Sequence, residues 1–161
     1  MGRVRTGHRQ HFSFLDLKLN TMEHRLKCIM LIDDDRTTNF FHAQVIKRAN
    51  CAETVVVKQY AEDALAYLVS LKDDSMRPDL ILLDVNMPRM NGWEFLEQYK
   101  LLPEEQKAKI VIVMLTTSLN PADRDKAQTI NEISEFAIKP LDPEMLHALL
   151  IKHFDSPKQD I

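Results

Sequence analysis

From Cys28 onward, short continuous apolar runs alternate with longer segments whose apolar residues recur at helical spacing. Residues 28–33 form an apolar run that ends in acid, and 79–84 repeat that pattern. Residues 54–57 are short and β-branched, and 110–115 and 134–138 complete five predicted strands. Between them, 38–49 is predicted as a helix with Phe41, Val45 and Ile46 on its apolar face and Phe40 and Ala49 beside them. A second helix over 61–71 aligns Ala64, Leu65, Leu68 and Leu71. A third, over 93–102, follows Gly92 and is stopped by Pro103. Asn120-Pro121 and Asp142-Pro143 each offer a capping side chain followed by proline at the first helical position. They start two more helices, the last running to about residue 154.

Five strands in strict alternation with five helices, the strands apolar on both faces, predict an α/β fold. Its sheet is parallel and five-stranded, covered by helices on both sides as a three-layer sandwich. Ligands of such sheets bind beyond the carboxyl ends of the strands. The chain places Asp33 and Asp34 at the end of the first strand, Asp84 at the third, Thr116 at the fourth and Lys139 at the fifth. Any one of these alone reads as a solvated loop residue. Together they read as one site.

The chain has 161 residues, 45% hydrophobic and 28% charged, which suits one ordinary globular domain. No stretch reaches the roughly 18 apolar residues of a membrane span, so none is expected. The apolar stretch at 12–17 is short and broken by Ser13 and Asp16, so no secretory leader is expected. A net charge of -3 argues against a nucleic-acid partner. Cys28 and Cys51 sit in apolar segments without metal-ligand spacing and read as reduced, packed thiols of a cytoplasmic protein. The first residues differ from the rest. Over 1–21, Arg3, Arg5, Arg9 and Lys18 face Asp16 alone, a net +3, and two of the three glycines fall there. Residues 1–26 are therefore expected to be a disordered tail, or an extension misassigned upstream of Met22. Residues 27–155 are the expected folded domain and 156–161 a short polar tail, with no output domain after it.

Three carboxylates gathered at one edge repel one another and call for a cation. All-oxygen ligands suit a hard ion, Mg²⁺ first and Mn²⁺ second. A carboxylate is also a nucleophile toward phosphorus. The hydroxyl of Thr116 and the ammonium of Lys139 would serve the remaining phosphoryl oxygens.

Asp33-Asp34, Asp84-Val85-Asn86-Met87-Pro88, Thr116-Thr117 and Lys139-Pro140 follow one another at separations of 50, 32 and 23 residues, counted from Asp34. In this order and context the chain resembles the response-regulator receiver family over residues 27–154, in the manner of single-domain chemotaxis regulators. The resemblance implies a (βα)5, flavodoxin-like, doubly wound fold with strand order 2-1-3-4-5. It implies that Asp84 is the phosphoacceptor and that Asp34 and Asp84 ligate the metal, with Asp33 bound directly or through water. The backbone carbonyl of Asn86 is the remaining protein ligand. Thr116 is the switch hydroxyl, Lys139 the phosphoryl-pairing cation, and Lys139-Pro140 a cis peptide. Phe136 falls at the aromatic switch position without the hydroxyl often found there. Asn91-Gly92 occupies the turn before the third helix, and Ser134-Glu135 departs from a common Gly-Ala pair. Asn86 and Ser118 would tune the phosphoryl lifetime. The implied donor is a phosphohistidine on a sensor histidine kinase or phosphotransfer protein, docking near residues 36–41. Output passes to a partner protein through the fourth helix, fifth strand and fifth helix, or the phosphoryl group passes on to another histidine, and the chain is expected to be a monomer or weak dimer. It is expected to be no enzyme beyond its own phosphorylation and dephosphorylation. Trp93 is expected to be core or partly buried.

Two other readings remain open at this point. Asp33-Asp34-Asp35-Arg36-Thr37 fits the opening of haloacid-dehalogenase-like phosphatases, with Asp33 as nucleophile and Asp35 as acid/base. That reading lacks a later acidic pair and leaves the segment after Asp84 unexplained. The other is a receiver-like interaction module that is never phosphorylated.

Overall fold

A computed structural model describes residues 25–108 and 111–155 of the chain. The tails expected at the two termini fall almost wholly outside these residues, as does Ile110 at the start of the fourth predicted strand. Five strands form one sheet: β1 (Leu26–Ile32), β2 (Ala52–Lys58), β3 (Leu80–Asp84), β4 (Val111–Thr116) and β5 (Glu135–Ile138). The helices are α1 (Arg36–Ala49), α2 (Ala61–Ser70), α3 (Gly92–Tyr99), α4 (Pro121–Gln128) and α5 (Pro143–Leu150). A 3₁₀ turn, Glu104–Gln106, precedes β4, and a wider turn, Ile151–Asp155, continues α5. All strand pairs are parallel, in the order β2-β1-β3-β4-β5.

Strand alternation sorts the side chains into two cores. Ile29, Leu31, Leu80, Leu82, Val113 and Leu115 face α1 and α5, meeting Ile46, Leu146 and Leu150. Met30, Ile32, Ile81, Leu83, Ile112 and Met114 face the other way, against Leu68 of α2 and Phe95 and Leu96 of α3. All five residues of β3 are buried, as a central strand covered on both faces requires. Cys28 and Cys51 are buried free thiols, each pushed up to about 11 by desolvation first.

The helix starts expected from capping residues are present. Asp35, Asn91, Asn120 and Asp142 each accept a backbone N–H from the first turn of α1, α3, α4 and α5. In α3 the cap is reciprocal: Glu94 returns a bond to the N–H of Asn91, at 2.9 Å each way.

Two expectations are corrected. The third helix, expected over 93–102 with Pro103 as its stop, ends at Tyr99. Phe41 does not face the core: it is 48% exposed and its neighbour Phe40 is 67% exposed. The inner face of α1 is instead Asn39, His42, Ala43, Val45 and Ile46. The rotation is set at the helix start. Asp35 caps the N–H of Thr38 at 2.8 Å, and the side-chain amide of Asn39 donates to the carbonyl of Asp33 at 2.6 Å. With Asn39 drawn inward, residues 42, 43 and 46 follow at helical spacing and Phe41 is carried outward.

Candidate functional site

Register puts the strand ends side by side. Ile32 pairs with Leu83, so Asp33 and Asp84, each one residue further on, finish adjacent strands at the same level. Thr116 pairs with Ile138, which places Lys139 just past the end of β4. Asp33, Asp84 and Lys139 also share strand parity with the core under α1 and α5, so all three side chains project to that side.

The result is an acidic cluster bridged by one cation. Carboxylate oxygens of Asp33, Asp34 and Asp84 lie within 4.8 Å of one another. The Lys139 ammonium donates to Asp33 Oδ2 and reaches Asp84 Oδ1 at 3.1 Å. Asp33 and Asp84 are buried, whereas Asp34 is exposed. Burial first, and then the charge of Asp33, hold the Asp84 carboxyl above its ordinary range; Lys139 works against both. Desolvation disfavours charge on Lys139 as well, but its bond to Asp33 and the charge of Asp84 outweigh it, and the ammonium is held above its usual value. Three carboxylates around one point, one of them open to solvent, fit a hard divalent cation by number, atom type and access.

The surrounding loops are fixed by backbone bonds. The N–H of Asn86 points back at Asp84 Oδ1 at 3.4 Å, and the loop closes where Gly92 N–H donates to the Val85 carbonyl at 2.8 Å. Gly92 must be glycine: a Cβ there would collide with the Asp84 carbonyl oxygen and sit 3.0 Å from Val85 Cα. Within this loop Arg89 adopts a left-handed φ of 66°, and its guanidinium lies 4.1 Å from the ring centroid of Tyr60, at the start of α2. Lys139-Pro140 is cis. Thr116 is fully buried, and its Oγ1 accepts the Ser118 N–H at 3.0 Å; the Ser118 hydroxyl accepts in turn from Asn120 N–H at 3.1 Å. Phe136 is partly buried beside a hollow of about 170 Å³ between α4 and β5, lined also by Ser118, Arg124 and Ile138.

Every side chain expected from the sequence thus lies at the carboxyl edge of the sheet or on the face of β5 beside it. Trp93 is partly buried, with Lys126 of α4 4.6 Å above its ring. Asp35 is taken up by capping α1, which holds its carboxyl below the usual range. Ser134-Glu135 opens β5, with Glu135 accepting from Lys152 and His153 after α5. Sequence reasoning missed four contributors: Asn39, His42, and the Arg89 and Tyr60 pair. Asn39 and His42 are three apart, as one helix face requires, but only the bonds at the start of α1 turn that face inward. The stacking of Arg89 on Tyr60 had no signal in the sequence, because the two residues come from different loops.

A doubly wound parallel sheet carrying a lysine-bridged acidic cluster at its carboxyl edge defines the class of protein. A family model for the response regulator receiver domain matches residues 29–151, and the chain belongs to that family. It is 32% identical over 99 residues to the response regulator Rcp1 of Synechocystis, a match covering 60% of this chain and 66% of Rcp1. Some curated relatives are longer: the match spans 28% of a protein-glutamate methylesterase/protein-glutamine glutaminase of Treponema pallidum. Among solved structures, a two component response regulator from Cytophaga hutchinsonii superposes with a TM-score of 0.73 at 29% identity, covering 80% of this chain and 97% of that one. The Mn²⁺-bound form of Rcp1 superposes with a TM-score of 0.63 at 26% identity, covering 78% and 92%. No helix among the described residues is long and apolar enough to cross a membrane.

Proposed function

We propose that this receiver domain accepts a phosphoryl group on Asp84 with Mg²⁺ held by Asp33, Asp34, Asp84 and the backbone carbonyl of Asn86. The observation that carries this reading is the meeting of three carboxylates within 4.8 Å, two of them spanned by Lys139. A bound divalent cation supplies charge neutralisation between the attacking carboxylate and the incoming phosphoryl oxygens. An Asp84 carboxylate oxygen attacks phosphorus as the bond to the donor nitrogen breaks. The electron pair stays on that nitrogen, which takes a proton. Lys139 leaves the carboxylates to pair with a phosphoryl oxygen, and Thr116 turns its hydroxyl toward another.

The donor in this reading is a phosphohistidine of a sensor histidine kinase or phosphotransfer protein. Phe40 and Phe41, apolar and outward on α1 beside the site, are the surface for it. Inward movement of Thr116 lets Phe136 turn toward the interior, and the face formed by α4, β5 and α5 changes shape for a partner protein. Asn86 and Ser118, flanking the acceptor and the switch, set the lifetime of the acyl phosphate. The Mn²⁺ in the related Rcp1 structure supports a divalent ion here. The phosphatase reading loses ground because Asp35, its acid/base, is committed to the cap of α1.

Incubation with acetyl phosphate and Mg²⁺ tests the proposal. The intact mass should rise by one phosphoryl group in the wild type and stay unchanged in Asp84→Asn. Labelling that persists in Asp84→Asn, or that proceeds equally well in EDTA, overturns it.

A further inference from the structure

Two polar side chains lie on the buried face of α1, where apolar residues would be expected. Asn39 is 3% exposed and His42 2% exposed. Each reaches a different loop of the site. The Asn39 amide donates to the carbonyl of Asp33 at 2.6 Å, holding the turn that carries Asp33 and Asp34. His42 Nε2 accepts the N–H of Leu141 at 3.0 Å, holding the turn that carries Lys139 two residues earlier. These loops come from opposite ends of the domain in sequence, 99 residues apart for His42 and Leu141.

Stability alone does not account for the pair. Asn39 Oδ1 is buried without a hydrogen-bond partner among the described residues. A buried acceptor left unmatched is a cost of keeping asparagine there, which its bond to the Asp33 carbonyl must offset. What Asn39 and His42 supply is position: one rigid helix face sets the acid-bearing turn and the lysine-bearing turn in a common frame. Groups that orient the residues of a reacting site act in this way without touching the reactants.

We propose that Asn39 and His42 are positioning residues for phosphoryl transfer, Asn39 acting through the metal-binding acids and His42 through Lys139. This rests on the reading of Asp84 as phosphoacceptor. The two roles separate in measurement, because one governs metal affinity and the other the transfer step.

The test compares Asn39→Leu, His42→Leu and His42→Gln with wild type. Mg²⁺ affinity is measured by titration, and the initial rate of labelling by acetyl phosphate is measured at saturating Mg²⁺. Leu149→Ala, a core truncation on α5 away from the site, controls for lost stability. Loss of an orienting partner typically costs 10- to 100-fold, so Asn39→Leu should weaken Mg²⁺ binding by about tenfold. His42→Leu should slow labelling by about tenfold while leaving the Mg²⁺ affinity within about twofold of wild type. His42→Gln, whose amide oxygen can still accept from Leu141, should recover most of the rate. If His42→Leu does not fold, His42→Asn, too short to reach Leu141, carries the same comparison. Variants no more impaired in affinity or rate than Leu149→Ala, or a glutamine variant as slow as the leucine one, overturn the proposal. A wild type that takes no label sinks the phosphoacceptor reading and this inference together. A labelled wild type with unsplit variants sinks this inference alone.

Discussion

Lys139 spans Asp33 and Asp84 with its own side chain 12% exposed and theirs 6% and 7%. Removing one partner of a buried ion pair leaves an uncompensated charge and costs about 3–5 kcal/mol. Lys139→Met should therefore lower stability in EDTA by that order, read from the denaturation midpoint; an unchanged midpoint would show that the bridge carries no weight. Asp34 is the exposed member of the acidic trio. Asp34→Asn removes repulsion without stranding a charge, so it should slightly stabilise the metal-free protein while weakening Mg²⁺ binding. A variant less stable than wild type in EDTA contradicts this. These residues were legible because each ends a strand, and strand parity decides which side chains meet. Asp33, Asp84 and Lys139 fall on one side for that reason. The turn geometry around them was not legible. That Gly92 lies against the Asp84 carbonyl depends on how tightly the loop after β3 folds back.

At the scale of elements, helix starts were read correctly where one capping side chain decides the outcome, as Asp142 does for α5, whereas α3 ends at Tyr99, short of the stop expected at Pro103. Helix rotation was not, because two aromatic residues in α1 outweighed Asn39 and His42 in a count of apolar positions. The hydrogen bonds at the start of α1 decide the matter, and no periodicity reports them. The edge strand β2 also runs longer than its apolar core suggested, from Ala52 to Lys58. It is only half-buried, so Glu53 and Lys58 extend the ladder at little cost. His42 gives α1 a pH dependence. Burial, the largest influence, holds its imidazole below the ordinary 6.5, and accepting from Leu141 needs the neutral ring. Because the folded value lies below the unfolded one, this contribution is complete above pH 6.5 and is lost as pH falls toward the folded value. Denaturation midpoints measured across that range should decline in the wild type and decline less in His42→Gln. Parallel profiles would assign the acid sensitivity to other groups.

For the whole molecule, the sheet acts as a frame that delivers three loops to one edge, and the cluster there is held together at a cost that a cation relieves. An ion that binds only the folded state stabilises it by mass action, by about 2.7 kcal/mol at a hundredfold excess over Kd. Mg²⁺ should accordingly raise Tm in the wild type and do so much less in Asp34→Asn; equal shifts would move the ion away from this cluster. The fold class, the strand order and the family were within reach of the sequence, since five strands, five helices and their strand-end residues are each encoded locally or by motif. The tie from α1 to the lysine-bearing turn was not, because His42 and Leu141 lie 99 residues apart. The central claim concerns which carboxylate bonds to phosphorus. Borohydride reduction of the protein after acetyl phosphate and Mg²⁺ treatment, followed by peptide sequencing, reports that atom directly. The account predicts that position 84 alone is recovered as homoserine. Recovery at position 33, or at no position in a protein that has gained phosphoryl mass, would contradict it.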